Sequence, residues 1–219
     1  LHYIDNNYDK SLSCFQSVKK YSRKTEPFLP NAYVIATSSL LHKGNINKAA
    51  ELAQEVLKIA PALPDVNYVN AFCNYKLKNY TIALEFCNKA LDKDRKTTSL
   101  VTDSGTAGWK THHLMGEIYF NMGKWADALN FYLKTFEYNK RELPLIVNIA
   151  RCYEYLNIPD KAMEYYQKSV SMGSSSYPFF IEYMADFIEH LQGIKEALKL
   201  LDQYLLIFPD HHHINLRKA

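Results

Sequence analysis

The chain has 219 residues, of which 47% are hydrophobic, with only 7 glycines and 8 prolines. This composition is ordinary for a folded globular protein and excludes a long low-complexity linker. Lys and Arg total 26 against 23 Asp and Glu, and the formal net charge of +3 is too small to make nucleic acid or an anionic membrane an obligatory partner.

The first predicted element is a single helix within residues 1–26, with Tyr8, Phe15 and Val18 on its apolar face. Pro27 follows and closes it. The helix matches the second member of a helix pair whose first member is missing. We therefore expect the chain to be a piece of a longer protein, and this helix to fray or to dock on a neighbouring molecule.

Five helix pairs are predicted next, at residues 30–61, 64–94, 109–140, 143–173 and 178–209. Each pair has an alanine at the same position of its second helix, namely Ala49, Ala83, Ala128, Ala162 and Ala197. In the single helix before these pairs, Ser11 occupies the equivalent position. A small residue precedes each alanine by twelve positions, namely Thr37, Ala71, Gly116, Ala150 and Ala185. The residues predicted to make the turn between the two helices are Gly44, Lys78, Gly123, Asn157 and Gln192.

The period is interrupted once, between the second and third of these pairs. The interval from Ala83 to Ala128 is 45 residues, whereas the interval before it is 34 residues. The additional residues of the longer interval lie within residues 95–108. We expect a spacer on the outside of the stack of helices. The alternative is a functional loop, because insertions in repeat proteins often collect on binding faces.

The segment 108–139, GWKTHHLMGEIYFNMGKWADALNFYLKTFEYN, is similar to the tetratricopeptide (TPR) repeat. The positions that carry this resemblance are Gly116, Tyr119, Gly123, Trp125, Ala128, Leu129 and Tyr132. The resemblance implies an all-α fold, a right-handed α-α superhelix (TPR solenoid) of about five full helix hairpins plus a truncated N-terminal one. We predict one solenoid domain over residues 1–219.

In TPR solenoids the first helix of each pair lines a concave groove, so the resemblance implies a binding surface there. The groove residues it implies are Tyr68, Phe72, Tyr75, Lys76, Lys110, His113, Glu117, Asn121, Arg151, Glu154, Tyr155, Glu182 and Asp186, and the same mapping gives Val147. Aromatic and mixed charged side chains suit a peptide or protein ligand. The alternative for Tyr68, Phe72 and Phe120 is packing against the next repeat.

We expect no catalytic residues, no cofactor and no metal in these residues. Adjacent residues of a helix point about 100° apart, so His112 and His113 do not readily share one ion. The tail at His211, His212 and His213 follows the last repeat and carries no further pattern. Phosphate-binding loops and hydrolase elbows are absent from the sequence.

Four cysteines are dispersed without a Cys-x-x-Cys pair: Cys14, Cys73, Cys87 and Cys152. Each falls in a predicted helix, where a small apolar residue is expected. We therefore expect buried reduced thiols and a reducing, cytoplasmic location. No apolar run approaches the ~18 residues of a membrane span.

Residues 64–172 also resemble the helical C-terminal region of bacterial family 2 glycosyltransferases with TPR repeats. A threonine, a Gly-x-x-Gly element and an aromatic-Lys pair at the start of TDSGTAGWKTHHLMG carry this likeness. It implies a non-catalytic part that presents an acceptor or mediates assembly, for example as a homodimer. The catalytic D-x-D motif is not carried over, because Asp92-Lys93-Asp94 ends a predicted helix. The alternative is a stand-alone TPR adaptor or peptide-sensing protein with no attached enzyme.

Overall fold

The computed structural model describes residues 7–23, 25–92, 105–138, 140, 142–172 and 179–207, and every regular element in these ranges is an α-helix. The helices are α1 (Tyr8–Tyr21), α2 (Leu29–His42), α3 (Ile46–Ile59), α4 (Pro64–Lys76), α5 (Tyr80–Leu91), α6 (Trp109–Asn121), α7 (Trp125–Tyr138), α8 (Leu143–Tyr155), α9 (Pro159–Ser171), α10 (Phe179–Gln192) and α11 (Ile194–Ile207). The prediction of an all-α fold built from paired helices is confirmed.

The helices belong to two compact units, Leu1–Met122 and Gly123–Ala219. In the first unit each helix from α1 to α6 packs against the next, and α2 also contacts α4, as α4 contacts α6. In the second unit α7 to α11 pack in the same sequential way. Each helix thus covers the apolar face of its neighbours, as in repeat proteins. The single domain over residues 1–219 stays a prediction.

The helix starts follow from local chemistry. The Asn7 side chain accepts a hydrogen bond of 3.2 Å from the Lys10 amide and caps α1. Proline lies in the first turn of α2, α4, α8 and α9, where its missing amide has no intrahelical partner to lose. In α9 this proline is Pro159, the first residue of the helix.

The small residues of the repeat pattern are buried. The five alanines of the second helices expose at most 3% of their surface, and Thr37, Ala71, Gly116, Ala150 and Ala185 are buried as well. The degenerate position Ser11 is also buried and accepts a hydrogen bond of 3.1 Å from the Ser39 hydroxyl. A larger side chain at such positions would force neighbouring backbones apart.

Four of the five predicted turn residues have the left-handed backbone that ends a helix: Gly44 (φ 74°), Lys78 (φ 62°), Gly123 (φ 72°) and Asn157 (φ 57°). The fifth prediction is wrong, because Gly193 (φ 94°) and not Gln192 has this conformation. Helix α10 runs to Gln192 and α11 begins at Ile194, so one residue makes this connection. The Gly193 amide closes α10 on the Glu189 carbonyl over 3.0 Å.

Helix α1 packs against α2 within the chain, and the expectation that it frays or docks on a neighbouring molecule stays a prediction. It buries Ser11 and Phe15 against α2, where the rings of Phe15 and Tyr33 meet edge to face at 4.8 Å. Cys14 lies away from this face and is exposed, so the prediction of four buried thiols is wrong at this position. Cys73, Cys87 and Cys152 are buried and are not joined in disulfides, as predicted.

Val147 does not belong to a binding surface. Its side chain is 2% exposed and packs in the core of the second unit with Ile181 and Met184. The mapping from the repeat failed here because α8 is apolar on more than one face. Val147 therefore stabilises the packing of α8 on its neighbours.

The spacer lies largely outside the described residues, and only 105–108 can be followed. Gly105 and Thr106 are buried, and the Thr106 hydroxyl donates a hydrogen bond to the carboxylate of Asp65 in the first turn of α4. The Thr111 hydroxyl of α6 donates to the Thr106 carbonyl. The described end of the spacer is thus packed against α4 and α6, and the position of the spacer on the outside of the stack stays a prediction.

Candidate functional site

Seven of the predicted groove residues form one connected patch on the first unit, which we call the α4–α6 ladder. It consists of Tyr68, Phe72, Tyr75 and Lys76 on α4 and His113, Glu117 and Asn121 on α6. Successive members lie three or four residues apart on each helix, except for the adjacent Tyr75 and Lys76, so they lie along one side of it. The helices α4 and α6 contact each other directly, which brings the two sets together.

The α4 side of the ladder is a row of aromatic rings. The ring centres of Tyr68 and Phe72 are 6.3 Å apart, and those of Phe72 and Tyr75 are 6.1 Å apart. The Lys76 ammonium lies 5.2 Å from the Phe72 ring and 5.4 Å from the Tyr75 ring. Cation–π contacts of this kind hold a flexible lysine over the rings. The row offers apolar surface with a positive charge at one end.

Polar bonds join this row to α6. The Tyr75 hydroxyl donates to Glu117 Oε2 over 3.4 Å and accepts from Asn121 Nδ2 over 3.2 Å. Asn121 Nδ2 also donates to the Glu117 carbonyl over 2.8 Å, and His113 Nε2 lies 3.8 Å from Glu117 Oε1. Burial and the Glu117 carboxylate raise the pKa of Tyr75 to about 12. Tyr75 is therefore a neutral hydroxyl that ties the two helices together.

The remaining predictions in the first unit fall at the edge of this patch. Lys110 lies at the start of α6, with its ammonium 5.6 Å from the Trp109 ring. Tyr68 packs partly against the buried cluster of Val69 and Cys73. Part of the Tyr68 ring therefore packs within its own repeat and the repeat before it, and packing of Tyr68, Phe72 and Phe120 against the next repeat stays a prediction.

The second unit contains a separate cleft of about 520 Å³, the α8–α10 cleft. It is lined by Glu154, Tyr155, Asn157, Pro159, Asp186, Phe187, His190 and Leu191. Three of these, Glu154, Tyr155 and Asp186, are predicted site residues. The sequence pattern missed His190 and Leu191, which follow Asp186 by one helical turn and could have been found by extending the face along α10.

Two residues that line this cleft, Glu154 and Tyr155, are held in place by side chains of neighbouring helices. The buried Tyr166 hydroxyl of α9 donates a hydrogen bond of 2.7 Å to Glu154 Oε2. Burial and this carboxylate raise the pKa of Tyr166 above its usual range. Trp125 of α7 stacks on Tyr155 with ring centres 4.3 Å apart and an angle of 17°. Glu154 and Tyr155 are thereby fixed in orientation.

The last two predicted residues flank the cleft. The Arg151 guanidinium lies 5.2 Å from the centre of the Tyr183 ring, which joins α8 to α10. Glu182 is half-buried, one helical turn before Asp186 on α10. Both add charge near the cleft without lining it.

The side chains of the ladder and the cleft are of types that bind other molecules by packing and hydrogen bonding. Within them, no group of three or more His, Cys, Asp or Glu could hold a metal ion. None of the helices described is long and apolar enough to cross a bilayer. The tail at His211, His212 and His213 lies outside the described residues. The side chains brought together are aromatic, amide and charged, as at many protein interfaces.

Residues 143–172 match the family model described as Tetratricopeptide repeat. Over 177 residues the chain is 23% identical to the TPR repeat-containing protein MJ1428 of Methanocaldococcus jannaschii, covering 80% of this chain and 28% of that protein. The chain thus spans less than a third of the length of this relative.

Two solved structures are similar along most of the chain. PilW, a widely conserved type IV pilus biogenesis factor, has a TM-score of 0.80 at 15% identity, covering 100% of this chain and 94% of PilW. YrrB, described as a TPR protein with an unusual peptide-binding site, has a TM-score of 0.64 at 14% identity, covering 93% and 96%. At these identities the likeness concerns the fold alone.

Proposed function

We propose that this chain, a tetratricopeptide-repeat protein by its fold and its matched repeat, is a scaffold that binds a peptide or protein segment along its first helices. TPR proteins are generally non-catalytic scaffolds of this kind. The peptide-binding site named for YrrB is a property of that protein, and it supports the proposal by analogy of fold.

The observation that carries the proposal is the α4–α6 ladder. Its aromatic row and its amide and carboxylate groups lie side by side on two neighbouring first helices. Aromatic side chains supply contact area at low entropic cost, and the polar groups can bond the backbone of an extended peptide. Tyr75, fixed by Glu117 and Asn121, is rigid before any ligand arrives, which reduces the cost of binding.

The wider role of the chain is a further part of the proposal. The likeness of residues 64–172 to a glycosyltransferase C-terminal region remains a hypothesis, and a stand-alone adaptor or peptide sensor is equally consistent with the comparisons. A strand-rich segment with a D-x-D motif upstream in the complete reading frame would favour the transferase; further repeats would favour the adaptor. We also propose a cytoplasmic location, supported by three buried cysteines that form no disulfide, and homodimerisation as a property to be tested.

Phage display of random linear peptides on the 219-residue chain tests the proposal directly. We expect enrichment of a peptide family whose affinity, measured by isothermal titration calorimetry, falls about tenfold in Glu117→Gln. This substitution keeps the volume of the side chain and removes its charge. The matched control is Glu85→Gln, on an exposed position of α5, which should leave the affinity unchanged.

Two results would speak against the proposal. One is a selection that yields no peptide enriched above the level of an unrelated helical protein. The other is an equal loss of affinity in both glutamine variants, since that would reflect overall charge and not the ladder.

A further inference from the structure

The charge of the side chains in and around the α8–α10 cleft indicates which kind of ligand group the cleft can bind. Two of its lining side chains, Glu154 and Asp186, are acidic, and the other titratable side chains in its lining are Tyr155 and His190. Glu182 and Glu189 stand one turn to either side of Asp186 on the same helix. Arg151 of α8, whose guanidinium lies over the Tyr183 ring of α10, offsets part of this negative charge. The balance around the cleft remains acidic.

The dipoles of helices α8 and α10 add to the negative potential at the cleft. Tyr155 is the last residue of α8, and His190 and Leu191 lie in the last turn of α10. The C-terminal end of a helix carries a partial negative charge that favours cations. Helix α9 instead presents its N-terminal end to the cleft, at Pro159. The partial positive charge of that end is offset by the carboxylate of Asp160 in the first turn.

An aromatic wall completes the cleft. One face of the Tyr155 ring is covered by Trp125, yet Tyr155 remains 49% exposed. A planar cation can therefore lie against Tyr155 while its donors reach the neighbouring carboxylates. Tyr166 occupies Glu154 Oε2, and Oε1 is the oxygen that a bound cation would use.

We infer that the α8–α10 cleft takes an arginine side chain of the bound peptide. The guanidinium group is planar, always charged and able to donate to two carboxylates at once while stacking on a ring. Lysine offers a point charge without this planar match. A cleft of about 520 Å³ is large enough for one such side chain with part of its flanking backbone. The inference rests on the proposed function, because it names the residue that a peptide ligand presents.

The test uses an array of nonapeptides with random flanks whose central residue is fixed as arginine, lysine, citrulline or glutamate. Citrulline has the shape of arginine without its charge. We expect the 219-residue chain to bind mainly central-arginine peptides. In fluorescence anisotropy, the strongest of them should bind about tenfold more tightly than its citrulline counterpart, as for a hydrogen bond to a charged group.

Two double variants test whether the preference for arginine over citrulline depends on the acidic residues of the cleft. The double variant Glu154→Gln/Asp186→Asn should lose the discrimination between arginine and citrulline. The matched control Glu137→Gln/Glu164→Gln removes the same charge from exposed positions of α7 and α9 in the same unit and should retain it. If the cleft variant does not fold, the citrulline comparison on the unchanged chain still decides.

The outcomes separate the two levels of the proposal. Peptide binding without preference for arginine, or a preference that survives in the cleft variant, overturns the arginine subsite and leaves the peptide scaffold standing. Absence of binding to any peptide of the array overturns both.

Discussion

The Asn121 side chain donates a hydrogen bond of 3.2 Å to the Tyr75 hydroxyl, although 46 positions separate the two residues in sequence. The bond joins α4 to α6 across the intervening helix α5 and the spacer. It lies within the ladder that we propose as a binding surface, so the same contact stabilises the first unit and orders the site.

Removing the Tyr75 hydroxyl should weaken the first unit. We expect Tyr75→Phe to lower the free energy of unfolding by about 1 kcal/mol, the usual net value of a hydrogen bond. Urea unfolding followed by circular dichroism measures the change. Tyr21→Phe is the control, because Tyr21 is 79% exposed on α1. An equal effect of the two substitutions would contradict a structural role for the Tyr75 bonds.

The turn residues predict a contrast between two matched exposed positions. Gly44→Ala should destabilise the chain by about 1 kcal/mol, since a Cβ is unfavourable in the left-handed region, and no atom lies near enough to add a clash. Lys78→Ala should change the stability by less than about 0.5 kcal/mol, because the Cβ of Lys78 is already present at φ 62°. Thermal unfolding of both variants checks the contrast, and equal shifts would refute it.

The Lys19–Glu55 pair predicts a pH dependence. The hydrogen bond from Lys19 (2.6 Å), assisted by one from Tyr33 (3.1 Å), lowers the pKa of Glu55 below its usual 4.5. A lowered folded-state pKa contributes stability that is present above about pH 4.5 and is lost as the pH falls through the folded value. Both side chains are nearly half exposed, so the contribution is below about 1 kcal/mol.

We therefore expect Glu55→Gln to be less stable than the parent chain at pH 7 and equally stable near pH 3. Chemical denaturation across this range measures the difference. Glu85→Gln, at an exposed position of α5, should show no such pH-dependent gap. A gap for Glu55→Gln that persists at pH 3 would show that the ion pair is not its cause.

Thiol reactivity should distinguish one cysteine from the other three. Burial raises the pKa of Cys73 and of Cys87 to about 12, and Cys152 is buried as well, whereas Cys14 is exposed. We expect Ellman's reagent to modify Cys14 rapidly in the native chain and the others only after unfolding. The variant Cys14→Ser should lose the rapid phase. Rapid reaction of that variant would contradict the burial of the other thiols.

The spacing of small residues was sufficient to predict the helix pairs, because burial leaves no room at positions such as Ala83 and Ala162. The last turn was predicted one residue early. The repeat offset assumes three residues between paired helices, as between His42 and Ile46, but a single glycine connects α10 to α11. A fixed offset carries no information about how far each helix extends.

The candidate site was predictable in its residue types and not in its contacts. The face of α4 and α6 follows from helical periodicity, but the bond between Tyr75 and Asn121 depends on how the two helices pack. The same holds for Tyr166, which reaches Glu154 from a second helix. Contacts of the Thr106 hydroxyl with Asp65 could not be expected either, since the length of the spacer does not determine where its end returns.

Hydrogen–deuterium exchange of the 219-residue chain with and without a selected peptide tests the central claim most directly. We predict slower exchange on peptide binding at the first helices, in α4 and α6 around Tyr75 and Asn121 and in α8 and α10 around the cleft, with the second helices α3, α5 and α11 unchanged. Protection confined to the second helices would contradict the account.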